Sequence, residues 1–157
     1  MIWRFNLKNF WTLPKLYMKS LPECEEHKCD AKIVLQENKS KISFLNPNKK
    51  NILIIKVDGC IISDNETLRC DYALVSYDEV EIYVELKGSD ISHAVKQIES
   101  TIALISENPQ KIKKLCFVIS TRVPKQTTNV QQLQIRFKRK FNASFRIKNI
   151  QDEYDLS

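Results

Sequence analysis

From residue 41 onward, apolar and polar positions alternate with a period near two, change to a helical period, and change back. The stretches 41–46 (KISFLN) and 51–57 (NILIIKV) read as two strands around a turn at Asn46-Pro47-Asn48. Residues 60–63 continue that sheet, 64–67 turn, 68–76 form another strand, and 77–79 make a tight turn into a strand over 80–87. After Gly88, Ser89 or Asp90 offers a helix cap, with Ser92 as an alternative. Ile91, Ala94, Val95, Ile98, Ile102 and Ile105 then recur at helical spacing until Asn108-Pro109. The β-branched run 113–121 is an interior strand. Residues 129–141 form a second helix with Val130, Leu133, Phe137 and Phe141 on one stripe, and 144–149 is a last strand. Meandering strands, then helix, strand, helix, strand, predict an α/β (mixed α+β) fold with a central mixed sheet flanked by helices. The 157 residues form a single domain: an N-terminal arm and helix over 1–40, a core over 41–148 and a tail over 149–157. The first 20 residues, with Trp3, Phe5, Phe10 and Trp11, are too apolar for a free tail and read as a docked packing element.

The strand 80–87 carries the chemistry. Val80, Ile82, Val84 and Leu86 fall on one face, the core face, and Glu81, Tyr83, Glu85 and Lys87 on the other. If 70–76 and 80–87 pair through the 77–79 turn, Asp71 lies across the ladder from the Glu85–Lys87 end. Two carboxylates at one mouth suit Mg²⁺ or Mn²⁺, and a neighbouring lysine can orient or deprotonate a water for attack on phosphorus. The plainer alternative is an exposed ladder of ion pairs.

Thirteen residues separate Asp71 from Glu85, and the pattern D-x13-E-L-K resembles the PD-(D/E)XK nuclease superfamily over about residues 40–148. The resemblance implies a restriction-endonuclease-like core and Mg²⁺-dependent cleavage of DNA. It also implies metal-holding acids at Asp71 and Glu85, the family's lysine at Lys87, and a glutamine of several subgroups at Gln97. Cys70 stands where many members carry a proline. For the family's upstream helical acid, Glu23, Glu25, Glu26 and Glu37 compete.

Charge adds a partner. The net charge of +6 is uneven: residues 111–157 hold 11 Lys and Arg against 3 acids, while 1–110 hold 14 against 16. Arg136, Lys138, Arg139, Lys140, Arg146 and Lys148 form a candidate phosphate-tracking rim interleaved with Phe137, Phe141 and Phe145. The sequence does not separate DNA from RNA. Only Gly59 and Gly88 occur, which excludes Gly-rich phosphate loops. No apolar run is long enough to span a membrane and the N-terminus lacks the build of a secretory signal. The expectation is a cytoplasmic protein whose five cysteines are thiols or metal ligands rather than disulfides. Cys24, Cys29, Cys60 and Cys70, with His27, could form a structural zinc site; separately buried thiols are the alternative, and Cys116 reads as a core residue. Asp58 is either a third site acid or part of an Asp-Gly turn, and His93 reads as a surface residue. Together these readings predict a metal-dependent DNA nuclease of mobile-element or phage-defence type, with a homodimer or partner protein supplying specificity. A catalytically inactive nucleic-acid- or protein-binding module of the same fold is the second reading.

Overall fold

The computed structural model describes residues 18–86, 90–122 and 127–157, without the side chains of Thr127 and Thr128. The readings of the aromatic arm over 1–17, and of Lys87, Gly88 and Ser89, lie outside the described residues. In chain order, a short 3-10 turn (Pro22–Cys24) precedes β1 (Glu25–Lys28), β2 (Lys32–Glu37), β3 (Ser40–Leu45), β4 (Ile52–Lys56), β5 (Tyr72–Val75) and β6 (Glu81–Glu85). Then come α1 (Ile91–Ile105), β7 (Lys114–Ser120), α2 (Thr127–Phe141), β8 (Ala143–Asn149) and β9 (Gln151–Asp155). No helix among the described residues is long and apolar enough to cross a membrane.

The strands form two mixed sheets. The larger has six strands in the order β1-β4-β5-β6-β7-β8, and the smaller has three in the order β2-β3-β9. The pairs β1–β4, β4–β5 and β5–β6 are antiparallel, and β6–β7 and β7–β8 are parallel. Each parallel step needs a crossover. Two right-handed crossovers in the same direction put α1 and α2 on one face of the sheet. There Val95, Ile98, Ile102, Phe137 and Phe141 pack against Tyr83, Cys116 and Val118. The smaller sheet covers the opposite face, with Ile33, Ile42 and Phe44 against Ile54, Ile82, Val84 and Phe117. The larger sheet is therefore sandwiched, and its central strands have no solvent face.

Several expectations change. The 41–46 and 51–57 strands form around their turn, but as β3 and β4 of different sheets rather than of one central sheet. The turn between them is a corner built on buried Asn46. Its Nδ2 donates to the carbonyls of Asp30 (3.1 Å) and Lys50 (2.8 Å), and its Oδ1 accepts the Lys50 N–H (3.1 Å). Residues 25–37 are strands β1 and β2 rather than part of an arm and helix, and the 149–157 tail contains β9, parallel to β3. Ile150 makes the step from β8 to β9 in one residue at φ 64°. Its N–H donates to Ser120 (2.9 Å) and its C=O accepts from Lys41 (2.9 Å), holding an isoleucine in a backbone region it disfavours. Residues 60–63 turn instead of extending the sheet, and 68–71 precede β5 without strand geometry.

The expected polar face of 80–87 is interior. Glu81 is fully buried beside fully buried Lys114, with Nζ 3.7 Å from Oε2. Tyr83 Oη and Ser106 Oγ donate to the same carboxylate at 2.8 and 3.1 Å, and Lys114 Nζ also donates to the Ile112 and Asn108 carbonyls. Burial pushes Glu81 above its ordinary value and Lys114 below its own, against their mutual attraction. Removing one partner strands the other charge, so Glu81→Gln should lower unfolding free energy by roughly 3–5 kcal/mol in a denaturant titration. Adding Lys114→Met should recover part of that loss; strictly additive effects would contradict the pairing. The raised Glu81 pKa also has a sign. The fold keeps that proton where the unfolded chain, titrating near 4.5, has released it. This contribution is present in acid and lost as pH rises through the folded-state value, so Glu81→Gln should flatten the stability profile just above pH 4.5.

Candidate active site

The β5–β6 hairpin closes through the Ser76 N–H to the Val80 C=O (3.0 Å), with Glu79 at φ 62° in the turn. Its register pairs Val75 with Glu81 and Tyr72 with Val84. Asp71 precedes β5 beside the end of β6: the Asp71 N–H donates to the Val84 C=O (3.1 Å) and Asp71 Oδ2 accepts the Leu86 N–H (2.7 Å). Ala73 and Tyr83 point toward the helices, so alternation along β6 points Glu85 the same way. Asp71 and Glu85 are both nearly buried, at 7% and 3% exposure.

Asp71 is held through its backbone as well. Its C=O accepts the Val57 N–H (3.0 Å) and the Asp58 N–H (3.3 Å). Helix α1 starts on Asp90, whose Oδ1 accepts the His93 N–H (3.2 Å), and lays two polar side chains against the approach to β5. Gln97 Nε2 donates to the Arg69 C=O (2.9 Å) and Thr101 Oγ1 accepts the buried Cys70 N–H (2.8 Å). Gln97, which the resemblance treats as a site residue, thus lies two positions from Asp71 with its amide on the main chain. Thr101 and Arg69 were missed by sequence reasoning. A threonine inside the apolar stripe of α1 was the available signal for the first, and nothing marked the second.

Burial, followed by the Glu85 and Asp71 carboxylates, keeps the Cys70 thiol protonated far above its ordinary range. Tyr72 is also raised, first by burial, then by Glu37 and Asp71. Among the competing upstream acids, Glu37, at the end of β2, is the one whose charge reaches the residue beside Asp71. Asp58 directs its carboxylate to Arg69 Nε (2.8 Å), and His93 is exposed. Among the described residues, no group of three or more His, Cys, Asp or Glu side chains converges as a metal cluster. Two carboxylates with their hard oxygens still suit Mg²⁺, which keeps several waters and takes one or two protein carboxylates.

The zinc expectation changes. Cys24 and Cys60 are joined in a disulfide, whereas the sequence predicted thiols. Cys29 is a free cysteine beyond the other end of β1, five extended residues or about 16 Å from Cys24, and Cys70 is buried in the core. Cys116 is buried, as expected.

The basic rim divides. β6, β7 and β8 are parallel, so their carboxyl ends lie together at Glu85, Ser120 and Asn149. Lys148, exposed and paired with Ile119, is at that end. Arg146 is nearby but forked onto Asp152, with Nε–Oδ2 and Nη2–Oδ1 both 2.8 Å. Helix α2 runs back, leaving Lys138, Arg139 and Lys140 in its last turn, about 20 Å from the carboxyl edge. Arg136 (2.9 Å) and Lys140 (3.9 Å) share Glu99 of α1. A groove of about 680 Å³ separates the two helices, lined by Ile91, Val95, Val130, Leu133 and Arg136.

No protein-family model, curated protein or solved structure matches this chain. Thr101→Val should leave the buried Cys70 N–H without its acceptor and lower stability by about 1–3 kcal/mol in urea unfolding. A change below about 0.3 kcal/mol would mean that the α1 contact does not hold the approach to Asp71.

Proposed function

We propose that this protein is a metal-dependent nuclease, hydrolysing phosphodiester bonds with Mg²⁺ or Mn²⁺ held by Asp71 and Glu85. The observation that carries the reading is the presence of two nearly buried carboxylates at one end of the β5–β6 hairpin, where Asp71 Oδ2 accepts the N–H of Leu86, the residue after Glu85. Their place is where ligands of open α/β sheets gather, at the carboxyl ends of parallel strands beside helix N-termini. The order of three meandering strands, helix, strand, helix, strand is the order that a restriction-endonuclease-like core implies, and it supports that finer reading of the fold.

The bound ion supplies Lewis acidity and a water of lowered pKa. The chain supplies the rest. The Leu86 N–H orients the Asp71 carboxylate, and Glu85 would offer the second set of oxygens. Lys87, two residues beyond Glu85 in sequence, orients the attacking water and takes or stabilises its proton. The N-terminus of α1 favours the phosphate's charge at the same edge. Lys148 is the rim residue that stands at the same carboxyl edge, on the face of β8 toward the smaller sheet, while Lys138, Arg139 and Lys140 stand at the far edge. The mobile-element or phage-defence setting and a homodimer or protein partner belong to this proposal. So does a cytoplasmic location, against which the Cys24–Cys60 bond weighs, since disulfides are rare in reducing compartments. The second reading, a non-catalytic binding module, draws on the depth of the two carboxylates.

The test is incubation of supercoiled, linear and single-stranded DNA, and RNA, with Mg²⁺ or Mn²⁺. Asp71→Asn, Glu85→Gln and Lys87→Ala should each cut at least about a hundredfold more slowly than wild type. A wild type that binds nucleic acid without cutting it favours the binding module, and equal cutting by all four proteins moves the site elsewhere. Lys148→Ala should lower the log–log salt slope of duplex binding by about 0.9, while Lys138→Ala leaves it unchanged. The reverse result would place the nucleic acid on the far edge.

A further inference from the structure

We infer that Arg69 is a positioning residue for Asp71; the inference rests on the reading of Asp71 as a metal-holding carboxylate. Between β4 and β5 the chain makes a long excursion that ends at Asp71. Its first part is a tight turn: the Ile62 and Cys60 N–H groups donate to the Val57 C=O at 3.0 and 3.3 Å, and Gly59, at φ 76°, donates to Ile62. Its second part is a turn closed by Asp64, which accepts the Glu66 N–H (2.8 Å), the Thr67 N–H (2.6 Å) and the Thr67 hydroxyl (2.9 Å).

Arg69 fastens the two turns together. Its Nε donates to Asp58 Oδ1 (2.8 Å), and its Nη1 donates to the carbonyls of Asp64 (2.6 Å) and Thr67 (2.9 Å). Its own carbonyl is held by Gln97 of α1. The planar guanidinium makes these bonds from one rigid fork, which an ammonium cannot do. The consequence reaches Asp71 directly, because the residue that Arg69 clamps, Asp58, gives its N–H to the Asp71 carbonyl. Asp71 is therefore fixed from the ladder side by Val84 and Leu86, and from the excursion side by Val57 and Asp58. The aim of a carboxylate that shares a metal is set by such outer partners, and their loss typically lowers metal affinity 10–100-fold.

The experiment uses the full chain, with Arg69→Met and Arg69→Lys as parallel variants. Amide hydrogen exchange is followed at Asp58, at Leu86 (the donor to Asp71 Oδ2) and, as an internal reference, at Phe117 in β7. Exchange is measured in metal-free protein, and Mn²⁺ is then titrated calorimetrically. Both variants should exchange about tenfold faster at Asp58 and Leu86 with Phe117 unchanged, and bind Mn²⁺ about tenfold more weakly than wild type. Unchanged Asp58 and Leu86 amides, or equal acceleration at all three positions, would overturn the positioning role. Selective loosening in a protein whose wild type takes up no Mn²⁺ would leave Arg69 holding Asp71 and remove the metal reading instead.

Discussion

Burying β6 on both faces leaves its carboxylates two places to go. Helices cover one side of the strand and a second sheet covers the other, so an acid on β6 either joins a closed interior network or sits where the sheet opens. Glu81 takes the first course, satisfied by Tyr83, Ser106 and Lys114. Glu85 takes the second, at the carboxyl edge of β6, next to Leu86, whose N–H the Asp71 carboxylate accepts.

The rest of the candidate site follows from topology. Parallel crossovers bring the carboxyl ends of β6, β7 and β8 together, start α1 at that edge and send the basic end of α2 to the opposite one. The antiparallel half supplies Asp71, whose place depends on the excursion between β4 and β5. That excursion is tied down by the Cys24–Cys60 disulfide, by Arg69 and by Gln97 and Thr101 of α1. The disulfide closes 36 residues of sequence, worth about 4 kcal/mol in the chain-entropy account.

Local signals in the sequence were read well where one interaction dominates. The period-two run of β6, the Asp90-capped stripe of α1 and the 77–79 turn fix element type, and the turn sets the register that pairs Val75 with Glu81 and Tyr72 with Val84. What failed needs information from distant chain. Asn46 looks like an ordinary turn residue until its amide reaches Asp30. Glu81 looks solvent-facing until Lys114, across a parallel crossover, comes to meet it. Cys24 and Cys60 look like ligands until β1 pairs with β4 and brings their segments together. The basic stretch reads as one patch in sequence, but a helix and a strand running in opposite directions carry its halves to opposite edges, and Glu99 and Asp152 engage several of its charges.

The central claim is that Asp71 and Glu85 share one divalent ion. Crystals grown with Mn²⁺ and measured at its absorption edge test it most directly. The account predicts one strong anomalous peak between the two carboxylates, within about 2.0–2.6 Å of oxygens from both residues. Saturating Mn²⁺ with no peak there, or a peak held by other side chains, would contradict it.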